Sequence, residues 1–181
     1  MKQDQVPHGA ADKRLILKAR ARALAQEPAA AGATRDLLEI MEFRLATETY
    51  GLASAFVREV QPLKDYTPLP GVPPFVLGLI NVRGQILSVV DLKKFFNLPG
   101  RSLNELDKVI IIRNSGMEFG ILADAVLGTR LVPPDALQEA PPTVTGIGAE
   151  YLKGVTREGV IVLDAEKILD DEKIVISQKA E

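Results

Sequence analysis

The 181-residue chain contains no cysteine and a single histidine, His8. Without thiols there can be no disulfide, no zinc-thiolate site and no cysteine nucleophile, and nothing suggests an oxidising compartment. His8 lies in a polar leader, which removes the usual general base, the commonest metal ligand and any Ser-His-Asp triad. An excess of charge of one sign is also missing: the formal net charge is -2, no footprint for a phosphate backbone, so nucleic acid is not an expected partner. The nucleotide and nucleophile motifs G-x-x-x-x-G-K-[ST] and G-x-S-x-G do not occur. Gly146 and Gly148 form a G-x-G, but Tyr151 stands where a dinucleotide fingerprint has its third glycine, so these read as turn residues.

Long apolar runs are scarce too. Residues 66–82 carry no charge, yet Pro68, Pro70, Gly71, Pro73, Pro74 and Gly78 break any helix that could cross a bilayer. Residues 1–14 are polar and offer no signal-peptide core. The expected location is cytoplasmic, with no direct membrane insertion.

What is present is ordinary globular composition, 46% hydrophobic and 25% charged, in a length that suits one domain. Residues 12–27 predict a helix, capped by Asp12 and stopped by Pro28; six basic and three acidic residues give 1–28 a local charge of +3. Its apolar face is mostly alanine with no aromatic anchor, the mark of a solvated or weakly docked helix. The Ala29–Thr34 tract reads as a linker, making 1–37 an extension of a domain over 38–181.

From Leu38 the pattern becomes short runs rich in Val, Ile and Phe, punctuated by Thr49-Tyr50-Gly51, Arg83-Gly84, Asn114-Ser115-Gly116 and Glu158-Gly159. This predicts a mainly β domain with strands near 39–46, 50–60, 75–82, 85–90, 107–114, 117–127, 152–156 and 159–163. An internal repeat runs through it. YGLASAFV (50–57) lies over FGILADAV (119–126) at an offset of 69, and VRGQILSVVDLKKFF (82–96) over VTREGVIVLDAEKIL (155–169) at an offset of 73. Two similar small β units are expected.

Asp91, Asp124 and Asp164 each end or follow an apolar run. Asp91 and Asp164 stand where strand gives way to helix and read as N-caps; Asp124 has no such assignment. In LPGVPPFVLGLINVRGQILSVVDLKKFF (69–96), prolines stiffen an approach to two apolar strands joined by Arg83-Gly84. Arg83 is the only charge between Asp65 and Asp91 and by itself reads as an exposed turn residue.

This run, with Asn81-Val82-Arg83-Gly84 between strands and then Val90-Asp91-Leu92, resembles the signature of the CheW family of chemotaxis coupling proteins. The resemblance extends to FVREV (56–60), to FGILADAV followed by Val132-Pro133, to Tyr151-Leu152-Lys153-Gly154 and to VIVLDAEKIL, covering about 38–170. It implies two small five-stranded β barrels about a pseudo-two-fold axis, with short helices, the first barrel mainly 48–106 and the second mainly 107–163, terminal segments shared. It implies a non-catalytic adaptor without cofactor or metal, joining the cytoplasmic tip of methyl-accepting chemoreceptors to the regulatory domain of the histidine kinase CheA, in membrane-proximal arrays.

By the same resemblance Val57, Glu59, Arg83 and Val126 match receptor-side positions. The valines would accept an apolar helix face and Arg83, paired with Glu59, would fix its register. The plain alternatives are core burial for the valines and a local ion pair for the charges. Gly78, Asn81, Gly84 and Gly154 match positions that shape these contacts, and Leu79, Ile80 and Val82 are the candidates for the kinase side, with core burial the favoured alternative for some of them. The terminal extensions depart from the family pattern, and the tail carries an apolar Ile174-Val175-Ile176. Two other readings remain open: a β-barrel ligand binder or enzyme using Asp124, Glu59 and Arg83, and an adaptor in a chemotaxis-like pathway whose output is not motility.

Overall fold

A computed structural model of the chain describes residues 37–99, 103, 107–139 and 147–174. The expected helix over 12–27, the Ala29–Thr34 linker and the tail beyond Ile174 lie outside the described residues. Among the described residues ten strands and two short α-helices follow one another: β1 (Leu38–Leu45), β2 (Glu48–Ala53), β3 (Val57–Pro62), β4 (Val76–Val82), β5 (Gln85–Val90), α1 (Leu92–Phe95), β6 (Lys108–Arg113), β7 (Glu118–Ala123), β8 (Ala125–Val132), β9 (Leu152–Val155), β10 (Ile161–Leu163) and α2 (Ala165–Asp170). The described residues all belong to one compact unit.

The strands make two five-stranded sheets of orders β8-β1-β2-β10-β9 and β3-β6-β7-β5-β4. Adding five to each strand number of the first sheet, cyclically, gives the second, so the repeat read in the sequence is a repeat of topology. It holds down to single pairs: Val162 faces Gly51 across the parallel β10–β2 ladder, and Val89 faces Gly120 across β5–β7. Beyond β3, Thr67 exchanges two backbone hydrogen bonds with Leu79 of β4 at 2.8 Å; beyond β8, Gln138 does the same with Val155 of β9 at 2.9 Å. Each sheet thus curls until its two edge strands are tied through one bridge, an open form of the expected barrel.

The sheets do not follow the division at about residue 107. Each takes two strands from one half of the sequence and three from the other, because the chain changes sheet after β2 and after β7. The predicted strands 50–60 and 117–127 are each interrupted there, by a 3-10 turn at Ser54–Phe56 and by Asp124 alone. Thr49-Tyr50-Gly51 is not a turn but part of β2; the chain reverses at Ala46-Thr47.

Side-chain alternation on strands buried on both faces explains the unbroken apolar runs. In β6, Val109 and Ile111 fill the interior of their own sheet, while Ile110 and Ile112 enter a central core shared by both sheets. In β10, Val162 turns inward and Ile161 and Leu163 face the centre. Truncating any of the fully buried members to Ala costs about 2–5 kcal/mol.

Candidate functional site

Strands β4 and β5 pair from Val76↔Val90 to Val82↔Gln85, leaving Arg83 and Gly84 as a two-residue loop. Both have positive φ, 53° and 88°, the geometry of a type I′ turn. The Asn81 side-chain oxygen accepts the Gly84 amide hydrogen at 2.8 Å and fixes the loop from below. Arg83 projects from the tip with 77% of its side chain exposed, its Nη2 2.9 Å from Glu59 Oε2. The other Glu59 oxygen lies 3.4 Å from Arg58 Nε. Arg58 Nη1 donates to Glu118 at 2.5 Å and to Gln85 at 2.7 Å, and the Glu118 carboxylate holds its guanidinium above the usual value. The sequence paired Arg83 with Glu59; it gave no sign of Arg58, Gln85 and Glu118, which come together only when β3, β5 and β7 share a sheet.

Val57 and Val126 open β3 and β8, one residue or so past the two points where the chain changes sheet. Both are partly buried and pack against the central core, together with Met41 and Phe56. They are neither closed core nor free surface: each is a partly buried side chain against the core that both sheets share. Farther along the same strands Val60, Leu127 and Leu131 are exposed. They were not singled out in the sequence, because a lone exposed aliphatic residue on a strand carries no signal until its neighbours are known.

Gly78 (φ +148°) and Gly154 (φ +158°) occupy matching places in the two sheets. A Cβ at Gly78 would sit 2.3 Å from the Thr67 carbonyl oxygen, and one at Gly154 2.8 Å from that of Gln138. Both glycines admit the bridge that ties the sheet edges, a shape-setting role in the physical sense.

For two of the three candidates for the kinase side the core alternative holds. Ile80 and Val82 are 5% and 1% exposed and belong to the interior of their sheet, since alternate residues of β4 point inward. Leu79 points the other way. With Leu69, Val76, Ser88 and Glu118 it lines a shallow depression of mixed polarity that includes Ile86, which is 61% exposed.

Asp91 accepts the Lys93 amide hydrogen at 3.0 Å and Asp164 that of Lys167 at 3.3 Å, the two N-caps expected. Asp124 instead binds Lys93 Nζ at 2.5 Å and the Ala46 amide at 2.7 Å. It therefore stands apart from the Glu59–Arg83 pair, and the convergence of three polar groups that a ligand-binding or enzymatic reading requires is not formed. Neither the surface cavity along Gln61–Asp65 nor the one at Leu79 includes any of the three. Among the described residues no cluster of His, Asp and Glu has the makings of a metal site, and no helix is long and apolar enough to cross a membrane.

A family model described as the CheW-like domain matches residues 39–173. The chain is 32% identical over 143 residues to the chemotaxis protein CheW of Treponema pallidum, covering 75% of this chain and 84% of that one. It is 31% identical to protein FrzA of Myxococcus xanthus, over 81% of this chain and 94% of its relative. Among solved structures, the scaffolding protein TtCheW of Thermoanaerobacter tengcongensis matches with a TM-score of 0.66 and 31% identity, over 76% of this chain and 90% of that one.

Proposed function

Because the chain belongs to the CheW-like domain family, we propose that it is a non-catalytic adaptor that couples a chemoreceptor's cytoplasmic tip to the regulatory domain of the histidine kinase CheA. The observation that carries this reading is the hairpin tip: an exposed guanidinium, held in register by Glu59, beside an apolar rim that includes Val57 and Val126. A helix laid in that rim buries its apolar face against the valines, and Arg83 supplies hydrogen bonds to side-chain or terminal oxygens on its polar flank. Aliphatic rim and fixed cation together suit an amphipathic helix better than a small polar ligand.

An adaptor needs a second, separate face. The exposed apolar surface of β4 and β5 around Leu79 and Ile86 supplies one, and we assign the kinase to it, with Ile80 and Val82 supporting it from inside. Two modest contacts on one rigid body raise the effective concentration of each partner for the other, so a stable array does not require either contact to be tight.

Affinity capture from lysate of the source organism tests the reading, with wild type and Arg83→Glu in parallel. Wild type retains a histidine kinase and receptor fragments. Arg83→Glu places a carboxylate opposite Glu59, keeps the kinase and loses the receptor by more than about 1 kcal/mol, as interface arginines do. Retention of neither partner by wild type sinks the adaptor reading.

A further inference from the structure

Asp124 and Lys93 form a buried ion pair that the contacts described so far leave without a function. Their side chains are 7% and 2% exposed and their charged atoms lie 2.5 Å apart. A buried pair of this kind seldom stabilises a fold more than apolar groups of the same volume, and where it persists it can dictate one arrangement over others. Here that arrangement is local and specific. Asp124 is the single residue between β7 in one sheet and β8 in the other, and its amide donates to the Arg44 carbonyl at 3.0 Å. Its second carboxylate oxygen accepts the amide hydrogen of Ala46, a residue held at φ +55° in the β1–β2 turn. Lys93 reaches it from α1, whose first turn Asp91 caps. Three segments thus meet on one carboxylate at the place where β8 begins, and two residues on stands Val126, paired with Phe43.

The repeat supplies an internal comparison. At its offsets, Asp124 corresponds to Ala55 and Lys93 to Glu166, so the other crossover, which leads to Val57, is a 3-10 turn with no such pair. We propose that Lys93 and Asp124 are positioning residues for the binding rim: their ion pair sets the β7–β8 crossover and thereby the placement of Val126, but not of Val57. This rests on the adaptor reading only for its consequence in binding.

The test is the full chain carrying Lys93→Met with Asp124→Asn, which removes both charges, retains the lysine stem and keeps an acceptor for the Ala46 amide. Methyl NMR reads the placement directly: the Val126 methyl resonances move and those of Val57 stay. Capture of a recombinant chemoreceptor tip fragment from the same organism weakens about tenfold, the size expected when a residue outside the contact biases it, while capture of the CheA regulatory domain is unchanged. Unmoved Val126 methyls, equal movement at Val57, or unaltered receptor capture by a variant whose Val126 has moved each overturn the proposal. If wild type itself captures no receptor fragment the adaptor reading falls, and the methyl shifts still decide the placement. Should the double variant lack a cooperative melt, Lys93→Gln with Asp124→Asn, which also removes both charges but keeps a donor facing an acceptor, is judged by the same methyl and capture criteria.

Discussion

At the scale of single residues, Arg83 holds a conformation that favours glycine or asparagine, φ 53° in a type I′ turn, at a cost of roughly 1–2 kcal/mol for a residue with an ordinary side chain. Its ion pair with Glu59 is too exposed to offset that cost, since surface pairs contribute about 0–1 kcal/mol. Arg83→Asn therefore leaves the turn as stable or raises stability by up to about 1 kcal/mol, while receptor capture drops as it does for Arg83→Glu. Thermal melts run beside capture assays separate the two, and an Asn variant that still captures receptor would show that the guanidinium is not the contact. The glycines behave oppositely. Gly78→Ala and Gly154→Ala force a Cβ into the carbonyl of Thr67 or Gln138, and each lowers stability by about 3 kcal/mol or more, the first by the larger amount because its contact is shorter. Urea unfolding midpoints check the order.

At the scale of elements, the segment after α2 is fastened more tightly than its polar sequence suggests. Ile174 is 3% exposed in the central core, and the Tyr151 hydroxyl donates to the Asp171 carboxylate. Burial alone would raise the Asp171 carboxyl, but hydrogen bonds from Tyr151 and from the Lys173 and Ile174 amides outweigh it and hold it below the usual range. A folded value below the unfolded one means stability that is present above the ordinary carboxylate range and lost as pH falls through the folded value. Burial first, then the Asp171 hydrogen bond, raises the Tyr151 hydroxyl, so its contribution is complete below the ordinary tyrosine value of about 10 and is lost as pH rises beyond it. Tyr151→Phe flattens both limbs of a stability–pH profile from urea midpoints; unchanged limbs would mean that other groups set them. Eight strands were legible in the sequence, and β1, β4, β5, β6 and β9 fall within a residue or so of their expected bounds; for β4, β5 and β6 this is because Val/Ile-rich runs there have Pro, Gly or Asn close to an end. What escaped was the break inside two of them. YGLASAFVREV has no Gly, Pro or Asn at Ser54–Phe56, and in FGILADAVLG only Asp124 marks the change of sheet. A chain passing between two sheets is flanked by core on both sides, so its composition stays that of a strand.

At the scale of the molecule, that missed break decides how the protein folds. The family resemblance implies barrels mainly over 48–106 and 107–163 with terminal segments shared, yet every sheet draws β1 and β2, or β6 and β7, from one half and its other three strands from the other. Cut between residues 106 and 107, either half retains only its two hairpins: β1–β2 and β4–β5, or β6–β7 and β9–β10. The ladders β1–β8, β2–β10, β3–β6 and β5–β7 all cross the cut. Isolated hairpins are marginal in water, and the central core cannot form without strands from both halves. Fragments 36–106 and 107–181 are thus each expected to lack a cooperative melt by circular dichroism, and to recover β signal and a single transition when mixed. A cooperative melt in either fragment alone would mean that the halves are independent barrels after all. For the adaptor reading the interlock has a direct use: Val57 and Val126 stand on strands of opposite sheets around one shared core, so the intact chain is expected to bind receptor as a rigid body, with backbone amide exchange around both crossovers unchanged on binding.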